Sequence, residues 1–240
     1  MIDPAFDPAP SRAALQRDGR VQVRGFLQPA VAARLRDCLL HEVPWTLALR
    51  DADGPRTLDA AAYASLDAPA VAALLARARD TTGLADTADA QFRFAYDSYM
   101  MVRAYKEGRD PGLLLHRVLE VFNTPDFHAL ARALTGDARI ARVDAQATRY
   151  RAGHFLREHT DHDTREGRLY AYVLNLSDHW HPDWGGLLHF IDGDAVTATF
   201  VPSFNTLNVF RVPTAHAVSQ VMDWARGPRL SITGWWMEGR

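Results

Sequence analysis

Six short segments after residue 138 have the composition of β-strands and are separated by turn residues. They cover residues 139–150, 169–176, 187–191, 196–201, 206–211 and 229–236. Short strands at this regular spacing are typical of a β-sandwich or a jelly roll. This pattern limits the possible folds more than any other feature, and it predicts a β core for the C-terminal part of the chain.

The first half of the chain has a different pattern. Pro29 can open a helix in which Leu35 lies on the apolar face, and further helices are predicted after Asp67 and Thr124. Residues 92–105 are aromatic and look extended. We therefore expect an α+β fold in a single catalytic domain. Its parts are residues 1–137, mainly helical support with a loose start over 1–14, and residues 138–240, the β core with the active site.

Charge and composition exclude several classes of protein. The net charge of the 240 residues is -2, without the strong basic excess of a nucleic-acid-binding protein. The single cysteine, Cys38, fits a reducing compartment, and the acidic first residues do not resemble a secretion signal. No stretch approaches the roughly 18 apolar residues of a membrane span. We expect a cytoplasmic protein without nucleic-acid or membrane partners, and the sequence does not define its oligomeric state.

The triplet His159-Thr160-Asp161 is a candidate metal site. Residues two apart in an extended segment point to the same side, so one imidazole and one carboxylate can reach a single ion. A third ligand must come from another strand, and His216 lies between two β-type segments. Two histidines and one carboxylate on one side of the ion form the facial triad of non-haem Fe(II) oxygenases.

By itself the triplet has a simpler interpretation. The chain contains 10 histidines, so a chance match to His-x-Asp arises easily. The polar neighbours Glu158, His162 and Asp163 also fit a solvated surface turn.

The segment Arg229–Trp235 alternates in polarity. Arg229, Ser231 and Thr233 share one side of the predicted strand with Trp235, while the residues between them point away. An arginine directed into a β core is costly unless it is paired, and a dicarboxylate ligand would be a suitable partner. The alternative is an arginine paired with a structural aspartate or lying at the barrel rim. Arg226 competes for the role, but it lies in a turn-like segment.

Taken together, these segments resemble the 2-oxoglutarate dioxygenases, and specifically their prolyl-hydroxylase branch. The matching features run in order from residue 138 to 240. They are Tyr150 with Gly153, His159 with Asp161, the strand Tyr172–Asn175, Trp180 with Trp184–Leu187, the turn residues Pro202, Asn205 and Phe210, His216–Val218, and Arg229–Trp235.

This resemblance implies a double-stranded β-helix, or jelly roll, with iron bound at its open end. The N-terminal half would supply supporting helices. It implies that His159, Asp161 and His216 bind Fe(II), which Mn(II) or Co(II) can replace. Arg229 would bind the distal carboxylate of 2-oxoglutarate, with Tyr150 and Thr233 contributing. The implied reaction consumes O₂ and 2-oxoglutarate, hydroxylates a C–H bond and releases succinate and CO₂. Ascorbate is a candidate reductant.

The substrate is predicted to be a prolyl residue in a polypeptide, with Trp235 as an apolar wall and residues 160–168 as a lid. A free amino acid or small natural product is the alternative, because substrate choice depends on loops. A nucleic-acid demethylase would carry a second arginine where this chain has Trp235. A halogenating relative would lack Asp161, and a non-catalytic metal-binding barrel would not need Arg229.

Overall fold

The computed structural model describes residues 1–85, 87–162 and 166–239. Its α-helices all precede residue 136. They are α1 (Pro8–Asp18), α2 (Pro29–His41), α3 (Ala60–Ala64), α4 (Ala68–Arg79), α5 (Ala88–Gln91), α6 (Met101–Lys106), α7 (Leu114–Phe122) and α8 (Pro125–Thr135).

The β-strands lie in both halves of the chain. Those before residue 100 are β1 (Arg20–Arg24), β2 (Thr46–Asp51), β3 (Gly54–Leu58) and β4 (Phe94–Tyr99). Those after residue 138 are β5 (Ile140–Val143), β6 (Gln146–Tyr150), β7 (Phe155–His159), β8 (Arg168–Asn175), β9 (Leu188–Asp192), β10 (Ala195–Phe200), β11 (Thr206–Arg211), β12 (His216–Val218) and β13 (Arg229–Glu238).

All of these strands belong to one antiparallel sheet. Its main path runs β1-β11-β8-β13-β6-β4-β7-β12-β9-β10, while β2, β3 and β5 pair at its side. The sheet curls so that β1, at one end of this path, approaches β9 near the other end, and the Arg20 guanidinium carbon lies 5.0 Å from the Phe190 ring centroid. This confirms the predicted α+β class with a jelly-roll core and supporting N-terminal helices.

Alternating residues of the central strands give the sheet two apolar faces. On β8, Tyr172 and Leu174 pack into the cluster shared with the helices, whereas Ala171 and Val173 join the cluster inside the barrel. This division follows from the opposite directions of successive side chains in a strand. The helices therefore stabilise the outer face, and the inner face is left to form a cavity.

The helix after Thr124 matches the predicted signals. The Thr124 hydroxyl accepts a hydrogen bond from the backbone N–H of Phe127, which caps an otherwise unsatisfied donor at the start of α8. Gly136 follows the helix with φ 75°, a left-handed conformation that costs glycine little. The helix then buries Phe127, Ala131 and Leu134 against the sheet.

Two local predictions were wrong. Residues 1–14 are not simply loose, because Asp7 accepts a hydrogen bond from Ala9 N–H and opens α1 at Pro8. The aromatic segment 92–105 is extended only to the end of β4, and α6 follows because residues such as Met101 and Ala104 bury one helical side. The short strands β7 and β12 were not predicted as strands.

In the portions covered by the structure, no helix has both the length and the apolar character that crossing a membrane requires.

Candidate active site

Strands β7 and β12 bring the three predicted metal ligands together. The two strands are antiparallel, and His216 at the start of β12 lies directly opposite His159 at the end of β7. Asp161 follows two residues after His159, where the chain leaves the strand. The pairing register therefore places His216 beside the His159–Asp161 triplet, although it lies 57 positions further along the chain (216 − 159 = 57).

The ligand atoms converge on one point. His159 Nε2 lies 3.6 Å from Asp161 Oδ1, and His216 Nε2 lies 3.6 Å from Asp161 Oδ2. One nitrogen or oxygen atom from each side chain lies within 4.8 Å of the other two. Atoms at this spacing, belonging to two imidazoles and a carboxylate, can share one cation. Within the described residues, these three side chains form the group that could hold a metal ion.

Backbone carbonyls fix the orientation of both imidazoles. His159 Nδ1 is 3.0 Å from the Arg157 carbonyl oxygen, and His216 Nδ1 is 2.8 Å from that of Thr214. A carbonyl can only accept, so each Nδ1 carries the hydrogen and each Nε2 keeps its lone pair. That tautomer leaves Nε2 available to a metal, with the second ring nitrogen held from behind.

Burial also sets suitable protonation states. Burial, together with the neighbouring His159, lowers the pKa of His216 to about 4, so the imidazole is neutral near pH 7. For Asp161, burial alone would raise the pKa, but the adjacent His159 and His216 side chains keep it below its usual value. At neutral pH His216 therefore offers a neutral imidazole and Asp161 an anionic carboxylate, as metal coordination requires.

The three side chains line a cavity of about 530 Å³ inside the barrel. Its walls include apolar residues of four neighbouring strands, namely Leu156, Ala171, Val173, Leu188 and Val218. Polar groups cluster at two places in the cavity, the His159 group and the start of β13. A mainly apolar cavity with a few convergent polar groups is the usual form of a small-molecule site.

Arg229 lies in this cavity at the first position of β13. Its side chain is buried, with 2% exposure, and no carboxylate in the described residues lies within ion-pair distance. Its Nε–H has no hydrogen-bond partner among them. Burial lowers the pKa of Arg229, but an arginine remains charged at neutral pH. Within the described part of the chain, Arg229 is therefore a buried cation without an anionic partner.

Other predicted residues lie near this cation. The Tyr150 ring centroid is 4.9 Å from the Arg229 guanidinium carbon, and burial raises the pKa of Tyr150, so its hydroxyl stays protonated. Thr233 also lines the cavity, but its hydroxyl donates to the Tyr172 carbonyl at 2.8 Å. It can still accept a hydrogen bond, but it cannot donate to a carboxylate at the same time. Arg226 is exposed and faces a different surface groove.

An aromatic row from the N-terminal half completes the wall, and the sequence interpretation did not assign it to the site. Phe92, Phe94 and Tyr96 all line the cavity, and successive ring centroids are 5.4 and 5.6 Å apart. Phe92 lies 5.3 Å from the His159 ring, and Tyr96 stacks on Tyr150 at 5.2 Å. The sequence does show aromatic residues at every second position here, but this alternation could not indicate that the strand they belong to, β4, lies beside β7.

Trp235 and Arg168 also line the cavity, and the Arg168 guanidinium carbon lies 3.8 Å from the Trp235 ring centroid. Of the predicted lid, residues 160–168, positions 163–165 lie outside the described residues, and so does the neighbour Asp163 of the metal triplet. Of the histidines outside the metal group, His154 is buried, whereas His162, His179 and His181 are exposed.

Comparisons with known proteins agree with this arrangement. Residues 145–237 match the profile of the 2OG-Fe(II) oxygenase superfamily. A segment of 118 residues is 32% identical to prolyl 3-hydroxylase OGFOD1 of Mus musculus, covering 46% of this chain and 21% of the mouse protein. The chain thus spans only about a fifth of that relative.

Two solved structures share the fold across almost the whole chain. A prolyl-4-hydroxylase of Pseudomonas putida superimposes with a TM-score of 0.57 at 22% identity, covering 97% of this chain and 99% of that one. The non-haem α-ketoglutarate-dependent epimerase SnoN superimposes with a TM-score of 0.56 at 17% identity, covering 97% and 84%. The predicted resemblance, with Fe(II), 2-oxoglutarate and O₂ as cofactor and cosubstrates, is confirmed, while the fold alone is compatible with more than one reaction.

Proposed function

We propose that this chain, a member of the 2OG-Fe(II) oxygenase superfamily, hydroxylates a C–H bond of a prolyl residue in a polypeptide. One observation carries the proposal. The buried Arg229, which has no acidic partner in the described residues, lines the same cavity as His159, Asp161 and His216. A cavity with a metal-binding group on one side and a lone buried cation on the other suits a chelating dicarboxylate.

The metal-binding role is assigned to three side chains. His159 and His216 would bind Fe(II) through Nε2, because their Nδ1 atoms donate to backbone carbonyls. Asp161 would supply the carboxylate. A three-residue facial triad leaves about three coordination positions for exogenous ligands. The donor set fits Fe(II), and Mn(II) or Co(II) as substitutes.

The cosubstrate role is assigned to Arg229 with Tyr150. A guanidinium binds a carboxylate through two parallel hydrogen bonds, and the low polarity around Arg229 strengthens them. The protonated Tyr150 hydroxyl can donate a further hydrogen bond. Thr233 can donate to this carboxylate only by giving up its present hydrogen bond to the Tyr172 carbonyl.

When bound, iron and 2-oxoglutarate supply oxidative decarboxylation, in which O₂ gives one oxygen atom to succinate and one to the hydroxylated carbon. The protein provides the environment for this chemistry. The apolar walls exclude water, and the pairing of β13 with β6 holds Arg229 beside Tyr150. The rigid strands thus orient the substrate and limit unproductive oxidation.

The aromatic surfaces support a prolyl substrate. The row of Phe92, Phe94 and Tyr96 lies on one side of the cavity and Trp235 on another. The apolar ring of proline can pack between such faces without leaving a buried charge unpaired. The similarity to prolyl hydroxylases is consistent with this assignment. Residues 160–168 are assigned the role of a lid, as the sequence suggested.

The test is to incubate the Fe(II)-loaded protein with 2-oxoglutarate and O₂, supplying in parallel proline-containing peptides, cell-extract proteins and free amino acids. Succinate formation and the gain of one oxygen atom are then measured by mass. We expect hydroxyproline in peptides, and no product from the variant Arg229→Ala at low 2-oxoglutarate. If only free amino acids or small metabolites gain oxygen, the small-molecule alternative replaces the peptide substrate, while the metal and cosubstrate assignments stand.

A further inference from the structure

The turn formed by Gly185 and Gly186 packs against the stem of Arg229. A methyl group added at Gly186 would lie 3.2 Å from Arg229 Cδ, 3.1 Å from Trp180 Cζ2 and 3.1 Å from Val221 Cγ2. Three side chains from separate segments therefore meet at the position that a side chain of residue 186 would occupy. Gly186 has φ 63°, so its backbone also favours glycine.

Hydrogen bonds fix this turn to its neighbours. Trp180 Nε1 donates to the Gly185 carbonyl at 2.9 Å, and the Gly186 N–H donates to the Ser219 carbonyl at 3.1 Å. A methyl group at Gly185 would lie 1.9 Å from the Gln220 carbonyl oxygen. The turn therefore lies close against the segment that precedes β13 and cannot shift away from it.

Arg229 depends on packing for its position. A buried arginine is usually held by a carboxylate, but the described residues offer none within ion-pair distance. Its head faces the Tyr150 ring, and its aliphatic stem lies against Gly186, on whose other sides lie Trp180 and Val221. Without these contacts the stem would be free to adopt other rotamers.

We propose that Trp180 and Gly186 are positioning residues, which hold Arg229 in the conformation that receives the distal carboxylate of 2-oxoglutarate. This inference rests on the proposed function. Bidentate binding requires both guanidinium nitrogens to be aligned with the carboxylate. A displaced stem would therefore weaken cosubstrate binding without altering the metal ligands. The Trp180 and Gly186 contacts act through Arg229 and do not touch the cosubstrate themselves.

The first test compares Gly186→Ala with Gly193→Ala. Gly193 has a similar φ of 59°, but an added methyl group there meets nothing within 4 Å. Both variants introduce the same backbone strain, and only Gly186→Ala crowds Arg229. Calorimetric titration of 2-oxoglutarate into the Mn(II)-loaded proteins should show roughly tenfold weaker binding for Gly186→Ala and little change for Gly193→Ala. Equal affinities would overturn the inference.

A second pair of variants removes contact instead of adding it. Trp180→Phe deletes the indole N–H that bonds the Gly185 carbonyl and the ring carbon Cζ2 that borders Gly186, and so loosens the turn that packs against Arg229. Trp224→Phe is the matched control, because Trp224 also donates to a backbone carbonyl, that of Asp183, but lies on the exposed surface. We expect 2-oxoglutarate binding to weaken by roughly three- to tenfold only in Trp180→Phe, with Mn(II) binding unchanged in both.

A double-mutant cycle separates positioning from general damage. If Trp180 acts through Arg229, the effect of Trp180→Phe on 2-oxoglutarate affinity should largely disappear in the Arg229→Ala background. An undiminished effect there would show that Trp180 acts by another route and would refute the inference. Failure of the wild-type protein to bind 2-oxoglutarate would instead refute the proposed function.

Discussion

Two arginines on the adjacent strands β6 and β13 have opposite environments. Arg149 points to the outer side of the sheet, where its Nε donates to the fully buried Asp97 at 2.7 Å. Arg229 points to the inner side and has no such partner in the described chain. A buried charge with a matching counter-charge belongs to the structure, whereas a buried charge without one indicates a place for a ligand.

The network around Asp97 shows what a satisfied site looks like. Tyr63 donates to Asp97 Oδ1 at 2.8 Å, and Arg151 lies 3.1 Å from Oδ2. The Arg149 guanidinium also lies 4.9 Å from the centroid of the Trp45 ring. Both carboxylate oxygens of Asp97 accept hydrogen bonds from neighbouring side chains, so this network has no position for an added ligand. Four predictions test the contrast with the inner face.

The largest effect is expected from the metal ligands. His216→Ala should reduce succinate formation by at least about a thousandfold, because loss of one ligand removes metal-dependent turnover. His189→Ala is the control, since His189 lies on β9 and bonds Thr199 away from the cavity. Full activity in His216→Ala, with an unchanged fold by circular dichroism, would reject the metal assignment.

The second prediction compares stability on the two faces. Asp97→Asn should lower the free energy of unfolding by about 3 kcal/mol, because it leaves Arg149 and Arg151 near an uncharged partner. Arg229→Met should leave the stability of the ligand-free protein unchanged or raise it, because it removes an unpaired buried charge. Urea unfolding would measure both. A large loss of stability in Arg229→Met would mean that Arg229 has a structural partner.

The third prediction concerns the cosubstrate requirement. Arg229→Ala should raise the 2-oxoglutarate concentration needed for half-maximal turnover by at least about tenfold, since hydrogen bonds to charged groups contribute about 1.5–3 kcal/mol. Arg226→Ala should have much less effect, because Arg226 is exposed outside the cavity. If Arg226→Ala had the larger effect in a succinate assay, the assignment of the cosubstrate contact to Arg229 would be wrong.

The smallest effect concerns pH. Burial lowers the pKa of His154 to about 4, against an ordinary value of 6.5. As the pH falls below 6.5, the unfolded chain binds a proton on His154 that the folded chain does not yet bind. The free energy of unfolding is therefore highest above pH 6.5 and falls as the pH drops from 6.5 towards 4. Between pH 7 and 5.5 the loss should be about 1 kcal/mol. His154→Gln should flatten the dependence of unfolding free energy on pH in that window. An unchanged slope would show that His154 does not cause it.

These two faces also show what the sequence could predict. The inward direction of Arg229 followed from alternation within a single strand, and His159–Asp161 followed from a spacing of two. The pairing of Arg149 with Asp97 joins residues 52 positions apart and depends on the register between β4 and β6. Such long-range pairing has no local signal, and for the same reason the place of Phe92, Phe94 and Tyr96 was not predicted.

Short elements were the other difficulty. Strand β12 has only three residues, which is too short for a clear pattern. Strand β7 contains the adjacent polar residues Arg157 and Glu158, which interrupt the alternation expected of a strand. These two strands carry the two histidines proposed as metal ligands, so the site was predicted from its chemistry although the strands that hold it were not recognised. The start of α1 was missed because the Ala- and Pro-rich composition of residues 1–14 suggested a loose segment, although Asp7 provides a cap.

The central claim is that one cavity holds the metal and 2-oxoglutarate together. It is tested most directly by calorimetric titration of 2-oxoglutarate into the wild-type protein, with and without Mn(II), using succinate as the ligand that lacks the chelating 2-oxo group. The account predicts one binding site, much tighter with Mn(II) for 2-oxoglutarate than for succinate, and reciprocal tightening of Mn(II) by 2-oxoglutarate. Binding of 2-oxoglutarate that is independent of Mn(II), or absent altogether, would contradict it.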